Sequence, residues 1–219
     1  MHAVRFIPYP LPFTLYPSVE LQAHNSVAVL TFPPEIGYPR LTQAVLAEVG
    51  DLLGAIRREG LFRGVVIASN NESFATGAEL DEIVSLAGVA ARDFALAGQT
   101  LFDRIERFPV PVVAAIRGYC LGGGLDLALA CHARVATYGA SFGHPGVSLG
   151  LLTGWGGTQR LPRLVGKAEA LQILLTGERL PATQALTMGL VDELVSSADL
   201  IECAVQRCLA LAEARGAGT

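Results

Sequence analysis

The chain has 219 residues, 51% of them hydrophobic and 16% charged, with a net charge of −4. That length supports one substantial domain without disulfide or metal staples, and the slight negative charge gives no reason to expect nucleic acid or an anionic membrane as partner. No apolar run reaches transmembrane length, the proline-broken start from Met1 to Pro12 is no signal-peptide core, and a cytoplasmic location is expected.

Residues 1–16 read as an irregular arm, rich in proline and aromatics. Val19–Gln22 and Val27–Phe32 read as paired strands around the turn Ala23-His24-Asn25-Ser26. A helix from about Thr42 to Glu59 carries Val45, Val49, Leu52, Leu53 and Ile56 on one stripe and stops at Gly60. Strand Val65–Ala68 comes next, then a helix from about Ala91 to Phe108 that Pro109 ends. Strand Val112–Ile116 leads into helix Gly123–Cys131, followed by short strands Arg134–Thr137 and Ser141–Phe142. Thr158–Leu164, Lys167–Leu175, Ala182–Met188 and a last segment from about Ala198 to Glu213 read as helices. Strands alternating with helices make this an α/β chain. Its parts are the arm, a core over 17–195, and a C-terminal helix and tail over 196–219.

The chemistry-bearing feature is Gly118-Tyr119-Cys120-Leu121-Gly122-Gly123-Gly124-Leu125-Asp126. An apolar strand enters a run of three glycines, and a helix follows with Asp126 in its first turn. Bare glycine backbone lets N–H groups approach a ligand, and a helix start leaves N–H donors unpaired and partly positive. Phe74-Ala75-Thr76-Gly77-Ala78-Glu79-Leu80 forms a second turn of the same character. Two such turns can bring two N–H donors onto one oxygen, the geometry of an oxyanion hole. Read singly, each is a tight strand-to-helix connection; together, and followed by Gly154-Trp155-Gly156-Gly157-Thr158-Gln159-Arg160, they point to a site.

With Pro111–Asp126, Phe142–Gly150, Gly154–Leu164 and the stretch from Leu175 to Val191, these motifs resemble the crotonase (enoyl-CoA hydratase/isomerase) superfamily over roughly residues 17–195. The resemblance implies a spiral of strand–strand–helix repeats, an acyl-CoA thioester as substrate, no cofactor beyond the coenzyme A it carries, no metal, and a homotrimer or dimer of trimers. It implies backbone donors at Ala78 and Gly123. It places substrate contacts at Ala75, Gly77, Leu80, Gly122, Gly146 and Trp155. Hydratases of the family use two glutamates. The first falls at Asp126, and the second belongs to a Phe-x-x-Pro-Glu motif that reads Phe142-Gly143-His144-Pro145-Gly146 here, without the carboxylate. Asp126 is also one methylene shorter than glutamate, which withdraws its carboxylate by about 1.5 Å.

Asp126 is therefore the expected proton-transfer residue, with His144 as its assistant. For His144 the plainer alternative is a half-buried strand residue hydrogen-bonded to backbone. For Trp155, lining the acyl pocket competes with ordinary packing. Two rival functions stay open: another enolate reaction of the same scaffold, such as decarboxylation, hydrolysis or double-bond migration, and a catalytically weak thioester-binding subunit. The C-terminal helical region reads as shorter than is usual in the family.

Other matches carry less. Gly146-Val147-Ser148-Leu149-Gly150 fits a nucleophile elbow, but His2, His24, His132 and His144 all precede Ser148, against the order that triad requires. Cys120, Cys131, Cys203 and Cys208 form no Cys-x-x-Cys pair and read as buried free thiols, with a nucleophilic Cys120 the lesser reading. Arg160 reads as a partner of helix-end carbonyls rather than of phosphate.

Overall fold

The computed structural model describes residues 19–32 and 38–216; the arm read over 1–16 lies outside the described residues. Strand β1 (Glu20–His24) turns at Asn25, which takes a left-handed φ of 55°, into β2 (Val27–Phe32). In helix α1 (Gln43–Glu59) the Thr42 hydroxyl accepts the Val45 N–H at one end, and Gly60 closes the other in the left-handed region. Strand β3 (Gly64–Ser69) precedes a short α2 (Leu80–Val84) and a long α3 (Gly88–Glu106). Next come β4 (Val112–Ile116), β5 (Tyr119–Leu121), α4 (Gly123–Ala130), β6 (Ala133–Thr137) and β7 (Ser141–Gly143). A 3₁₀ turn over Pro145–Leu149 leads to α5 (Gly157–Val165), α6 (Lys167–Thr176), β8 (Leu180–Pro181), α7 (Ala182–Thr187), β9 (Glu193–Val195) and α8 (Leu200–Gly216).

Two sheets result. The larger has the order β1-β2-β3-β4-β6-β9, antiparallel at β1–β2 and parallel elsewhere; the smaller has the order β5-β7-β8. The chain repeats one excursion: a strand in the large sheet, a short strand in the small one, then a helical turn. It does so at β4-β5-α4 and at β6-β7 with the 3₁₀ turn. After β3, the bridge between Ala75 and Cys120 adds Ala75 to the edge of the small sheet.

Parallel strands covered on both faces are apolar at nearly every position, and the side chains sort by alternation. Ala28, Leu30, Val65, Ile67, Val112, Ala114 and Ile116 join the core under α1 and α3. Val27, Val29, Val66, Ala68, Val113 and Ala115 face the other way, onto Leu200, Ala204, Val205 and Cys208 of α8. No helix of the described residues is long and apolar enough to cross a membrane.

The structure adds elements the sequence reading lacked: α2, β5, β8, β9 and the 3₁₀ turn. Each spans two to five residues, too few for a period to show. Pairing with another strand decides β5, β8 and β9, while α2 and the 3₁₀ turn carry no buried residue. Helix α3 also starts at Gly88 rather than near Ala91.

The seat of α8 depends on a missing side chain. A Cβ on Gly64 would overlap the Sγ of Cys208, whose thiol donates to the carbonyls of Val65 at 3.5 Å and Pro111 at 3.3 Å. Gly64→Ala should therefore destabilise the protein by about 1–3 kcal/mol, the usual range for overpacking. Adding Cys208→Ala should recover part of that loss. Denaturant midpoints of the four combinations measure the coupling, and additive losses would show that the clash is relieved elsewhere.

Candidate active site

The two glycine-rich turns lie against each other. Leu121 N–H donates to the Ala75 carbonyl at 2.9 Å, and Phe74 N–H donates to the carbonyls of Arg117 and Tyr119. Gly77 (φ 109°) and Gly122 (φ 53°) take backbone angles that side chains disfavour, and each sits one residue before a proposed donor. A Cβ on Gly77 would lie 3.3 Å from Gly123 N, and one on Gly123 would lie 3.4 Å from Ala78 N. The two donors thus flank one small region. Gly123 opens α4, so its N–H has no intrahelical acceptor. Among the described residues no hydrogen bond takes up the N–H of Ala78 or of Gly123.

Trp155 fills the space beside them. Its ring occupies the place of a side chain at both Gly98 of α3 and Gly123 of α4. It packs on Phe94 at 5.3 Å and edge-on to Phe102 at 5.7 Å between centroids. Trp155 is buried in the core and also lines a cavity.

Asp126 sits one turn into α4 and is buried. Its Oδ2 accepts the hydroxyl of Thr153, and its Oδ1 occupies the place of a side chain at Gly157. Burial pushes the carboxyl up to about 6, against the opposing pull of the Thr153 hydroxyl, the N–H dipoles of Trp155 and Gly157, and the Arg160 guanidinium. Arg160 is held by the Trp155 carbonyl at 3.2 Å and by Asp103 and Glu106 of α3. Its two carboxylate partners tie α5 to α3, and the one carbonyl it meets, that of Trp155, lies in the loop before α5 and not at a helix end.

His144 follows β7 and is buried too. Neither ring nitrogen has a hydrogen-bond partner among the described residues, so the alternative of a backbone-bonded strand histidine fails. Its Nε2 is 3.6 Å from Asp126 Oδ1, and burial pushes its pKa down to about 4. Two residues on, a Cβ added at Gly146 would lie 3.4 Å from the Leu151 carbonyl oxygen.

These groups surround a cavity of about 390 Å³. Gly77, Ala78, Leu80, Gly122, Gly123, Asp126, His144, Gly146 and Trp155 all line it. Ala75 does not; it is fully buried behind the wall, its carbonyl taken by Leu121. Correcting that placement, Ala75 seats the turn and is out of a ligand's reach. Much of the remaining wall is apolar, including Ile83, Phe94, Leu149, Leu152 and Leu174. Sequence reasoning missed Thr153 and Arg40. Thr153 stands 27 residues from the carboxylate it serves, and only its place just before the Gly154–Arg160 motif could have flagged it. Arg40, paired with Glu79, is brought to the lining by the bridge between Leu41 and Ala78.

The features set aside remain outside the chemistry. Cys120 is buried, and burial pushes its thiol well above the ordinary range. Ser148 lies in the 3₁₀ turn with no histidine bonded to it. His132 accepts the Val112 N–H at 2.8 Å on Nδ1 and so anchors the start of β4. No group of three metal-ligating side chains occurs among the described residues.

Comparison with known proteins identifies the family of the chain. The model of the enoyl-CoA hydratase/isomerase family matches residues 22–217. The fatty acid oxidation complex subunit alpha of Shewanella loihica is 46% identical over 191 residues, 85% of this chain and 27% of that protein; the Idiomarina loihiensis protein of the same name is 46% identical over 190 residues. The chain thus spans about a quarter of the length of the curated relatives it matches. Among solved structures, Pseudomonas aeruginosa DspI superposes with a TM-score of 0.86 at 29% identity, over 93% of this chain and 78% of that one. An enoyl-CoA hydratase from Bacillus anthracis superposes with a TM-score of 0.84 at 33% identity, over 90% and 77%. With its crotonase fold, its paired glycine turns and a family match across nearly the whole described chain, this protein belongs to the enoyl-CoA hydratase/isomerase family.

Proposed function

We propose that the chain processes an acyl-CoA thioester through an enolate, with the thioester oxygen held by the N–H groups of Ala78 and Gly123 and with Asp126 as the base. One observation carries this reading: among the described residues, two backbone donors with no acceptor of their own flank a largely apolar cavity lined by one carboxylate, the buried Asp126. Donors already aimed at the place where negative charge develops need no reorganisation during reaction. The apolar wall fits an acyl chain, and the names of the curated relatives support fatty acid oxidation as the setting.

The rival of a catalytically idle subunit has a specific observation against it. A binding module gains nothing from burying an ionisable carboxylate at the cavity wall, where desolvation raises its pKa and destabilises the fold. Homotrimer assembly remains part of the reading. Its support is a set of exposed apolar side chains, Leu149 and Leu152 of the cavity wall and Val84 of α2, each more than half exposed.

Calorimetric titration with acyl-CoAs of different chain length tests the class directly; no binding of any of them, or of coenzyme A, would defeat it. As a base, Asp126 works only when ionised. The kcat/KM for the best substrate should therefore rise with pH below about 6 and level off above it. Asp126→Asn should lower kcat on the order of 10²–10⁴-fold, the usual worth of a general base. An unchanged rate in that variant would remove Asp126 from the chemistry.

The same substitution should stabilise the fold. Burial raises the carboxyl from its ordinary value of 3.8 to about 6, so the folded state binds the proton more tightly. Stability conferred by the protonated form is complete below pH 4 and is lost as pH rises through 6. At pH 7, Asp126→Asn should gain as much as ~3 kcal/mol, and at pH 3.5 the two proteins should unfold at nearly the same denaturant concentration. A variant less stable at pH 7 would contradict the burial argument.

Position 146 has room for a side chain. Gly146→Glu should raise hydration of crotonyl-CoA by tenfold or more over the parent, since addition of water needs a second proton-handling group. No gain, in a folded variant that still binds the thioester, would show that the missing carboxylate is not what limits hydration.

A further inference from the structure

The two oxygens of Asp126 are held differently. Oδ2 accepts the Thr153 hydroxyl, whereas Oδ1 is buried without a hydrogen bond among the described residues. An ionised carboxylate can only accept, so the threonine donates. Thr153 also lines the cavity, yet its hydroxyl is turned to the carboxylate.

Three pieces of chain meet to make that bond. Asp126 comes from α4, Thr153 from the segment before α5, and Gly157 opens α5. A Cβ on Gly157 would overlap Asp126 Oδ1 and would lie 2.9 Å from the Thr153 methyl and 3.0 Å from its hydroxyl oxygen. Both side chains therefore share the notch that this glycine leaves. A β-branched side chain has little χ1 freedom, and a methyl seated in a notch has less, so the hydroxyl is fixed on its acceptor. Serine would keep the donor without the methyl, and valine would keep the shape without the donor.

The charged and titratable groups around Asp126 do not duplicate this hold. His144, in the segment after β7, stands with Nε2 3.6 Å from Oδ1, beyond hydrogen-bond length, and burial keeps its imidazole neutral down to about pH 4. Arg160 of α5 acts on Asp126 through space, its nitrogens taken by the Trp155 carbonyl, Asp103 and Glu106. The Cys120 thiol of β5 donates to the Gly124 carbonyl at 3.5 Å. Arg40 at the wall is engaged by Glu79. The N–H groups of Trp155 and Gly157 pull on the carboxylate from the backbone that follows Thr153. Among the described residues Thr153 is the one side chain that donates a hydrogen bond to Asp126.

Resting on the acyl-thioester reading above, we propose that Thr153 is the positioning residue of the site: its hydroxyl fixes the rotation of the Asp126 carboxyl and favours the ionised form, which leaves Oδ1 as the oxygen that takes the substrate proton. Thr153 acts through Asp126 alone. A donor that stabilises the charged form lowers the pH at which the group ionises. Without that donor, desolvation keeps the proton on the carboxyl to higher pH, and the carboxyl is free to turn about its Cβ–Cγ bond. A base that is neutral or misaligned takes no proton, so both losses fall on turnover rather than on binding.

Two measurements test this. The first needs no substrate. Carboxyl ¹³C spectra of the full chain, with the Asp126 signal identified by its loss in Asp126→Asn, are followed from pH 3 to pH 9. Thr153→Val should move the Asp126 titration up by about one pH unit, the worth of one hydrogen bond to a charged group, and Thr153→Ser should bring most of it back. An Asp126 signal that titrates at the parent's pH in Thr153→Val overturns the role, whatever the protein acts on. If the valine variant does not fold, Thr153→Ala removes the same donor and is read in the same way.

The second measurement uses the acyl-CoA that the parent turns over fastest. Thr153→Val should shift the acid limb of kcat/KM up by the same unit and lower kcat on the plateau about tenfold, with KM changed less than about twofold. Thr153→Ser should recover both. A threonine that served packing alone would leave the limb in place and change only KM or the unfolding midpoint, and that result defeats the proposal. If no acyl-CoA binds at all, the thioester reading fails, and the carboxyl titration still decides what Thr153 does to Asp126.

Discussion

The Ala75 carbonyl lies where a Cβ on residue 124 would have to go. That approach joins the start of α4 to the turn after β3, and the candidate site is built on it. The Leu121 N–H closes on the same carbonyl, so the two turns are pinned by a hydrogen bond on one side and by a missing side chain on the other. Gly77 and Gly122 take backbone angles that side chains disfavour, and Ala78 and Gly123, one residue on from each, line the cavity. A methyl group at 124 would push the turns apart and separate the donors. Backbone chemistry at this site is therefore a consequence of packing.

Around that junction the fold places rigid supports. Trp155 fills the gap that Gly98 and Gly123 leave, and Phe94 and Phe102 hold its ring. Arg160 fastens the segment that carries Trp155 to α3. A second buried arginine does similar work away from the site. Arg134 on β6 donates to the carbonyls of Cys131 and Leu190 and to the Asp192 carboxylate, which fixes the end of α4 and the chain before β9. Both arginines spend their donors on backbone or carboxylate groups, so neither is left to serve a ligand.

Electrostatics at the cavity runs against stability. A buried carboxylate that leans on the Thr153 hydroxyl and the N–H groups of Trp155 and Gly157, bordered by an imidazole without a hydrogen bond among the described residues, is a poor way to finish a core. A side chain kept in that state beside unpaired backbone donors marks where local rules yield to function. Position 146 belongs to the same account. Glycine there brings no carboxylate to the cavity wall, where Asp126 of α4 and His144 of the segment after β7 both stand.

Much of this was written in the chain. The stripes of α1 and α3, the apolar strands Val27–Phe32, Val65–Ala68 and Val112–Ile116, and both glycine turns follow from local composition and period, because backbone preference and burial act over a few residues. Asp126 was legible for the same reason, since it lies on the helix that the glycines open. The short strands β5, β8 and β9, the Thr153–Asp126 bond and the withdrawal of Ala75 behind the wall were not, because each is decided by groups brought from tens of residues away. The same holds for the state of His144. Its neighbours in sequence say strand, and only tertiary packing buries the ring, strips it of water and backbone partners, and leaves it facing a carboxylate 3.6 Å away.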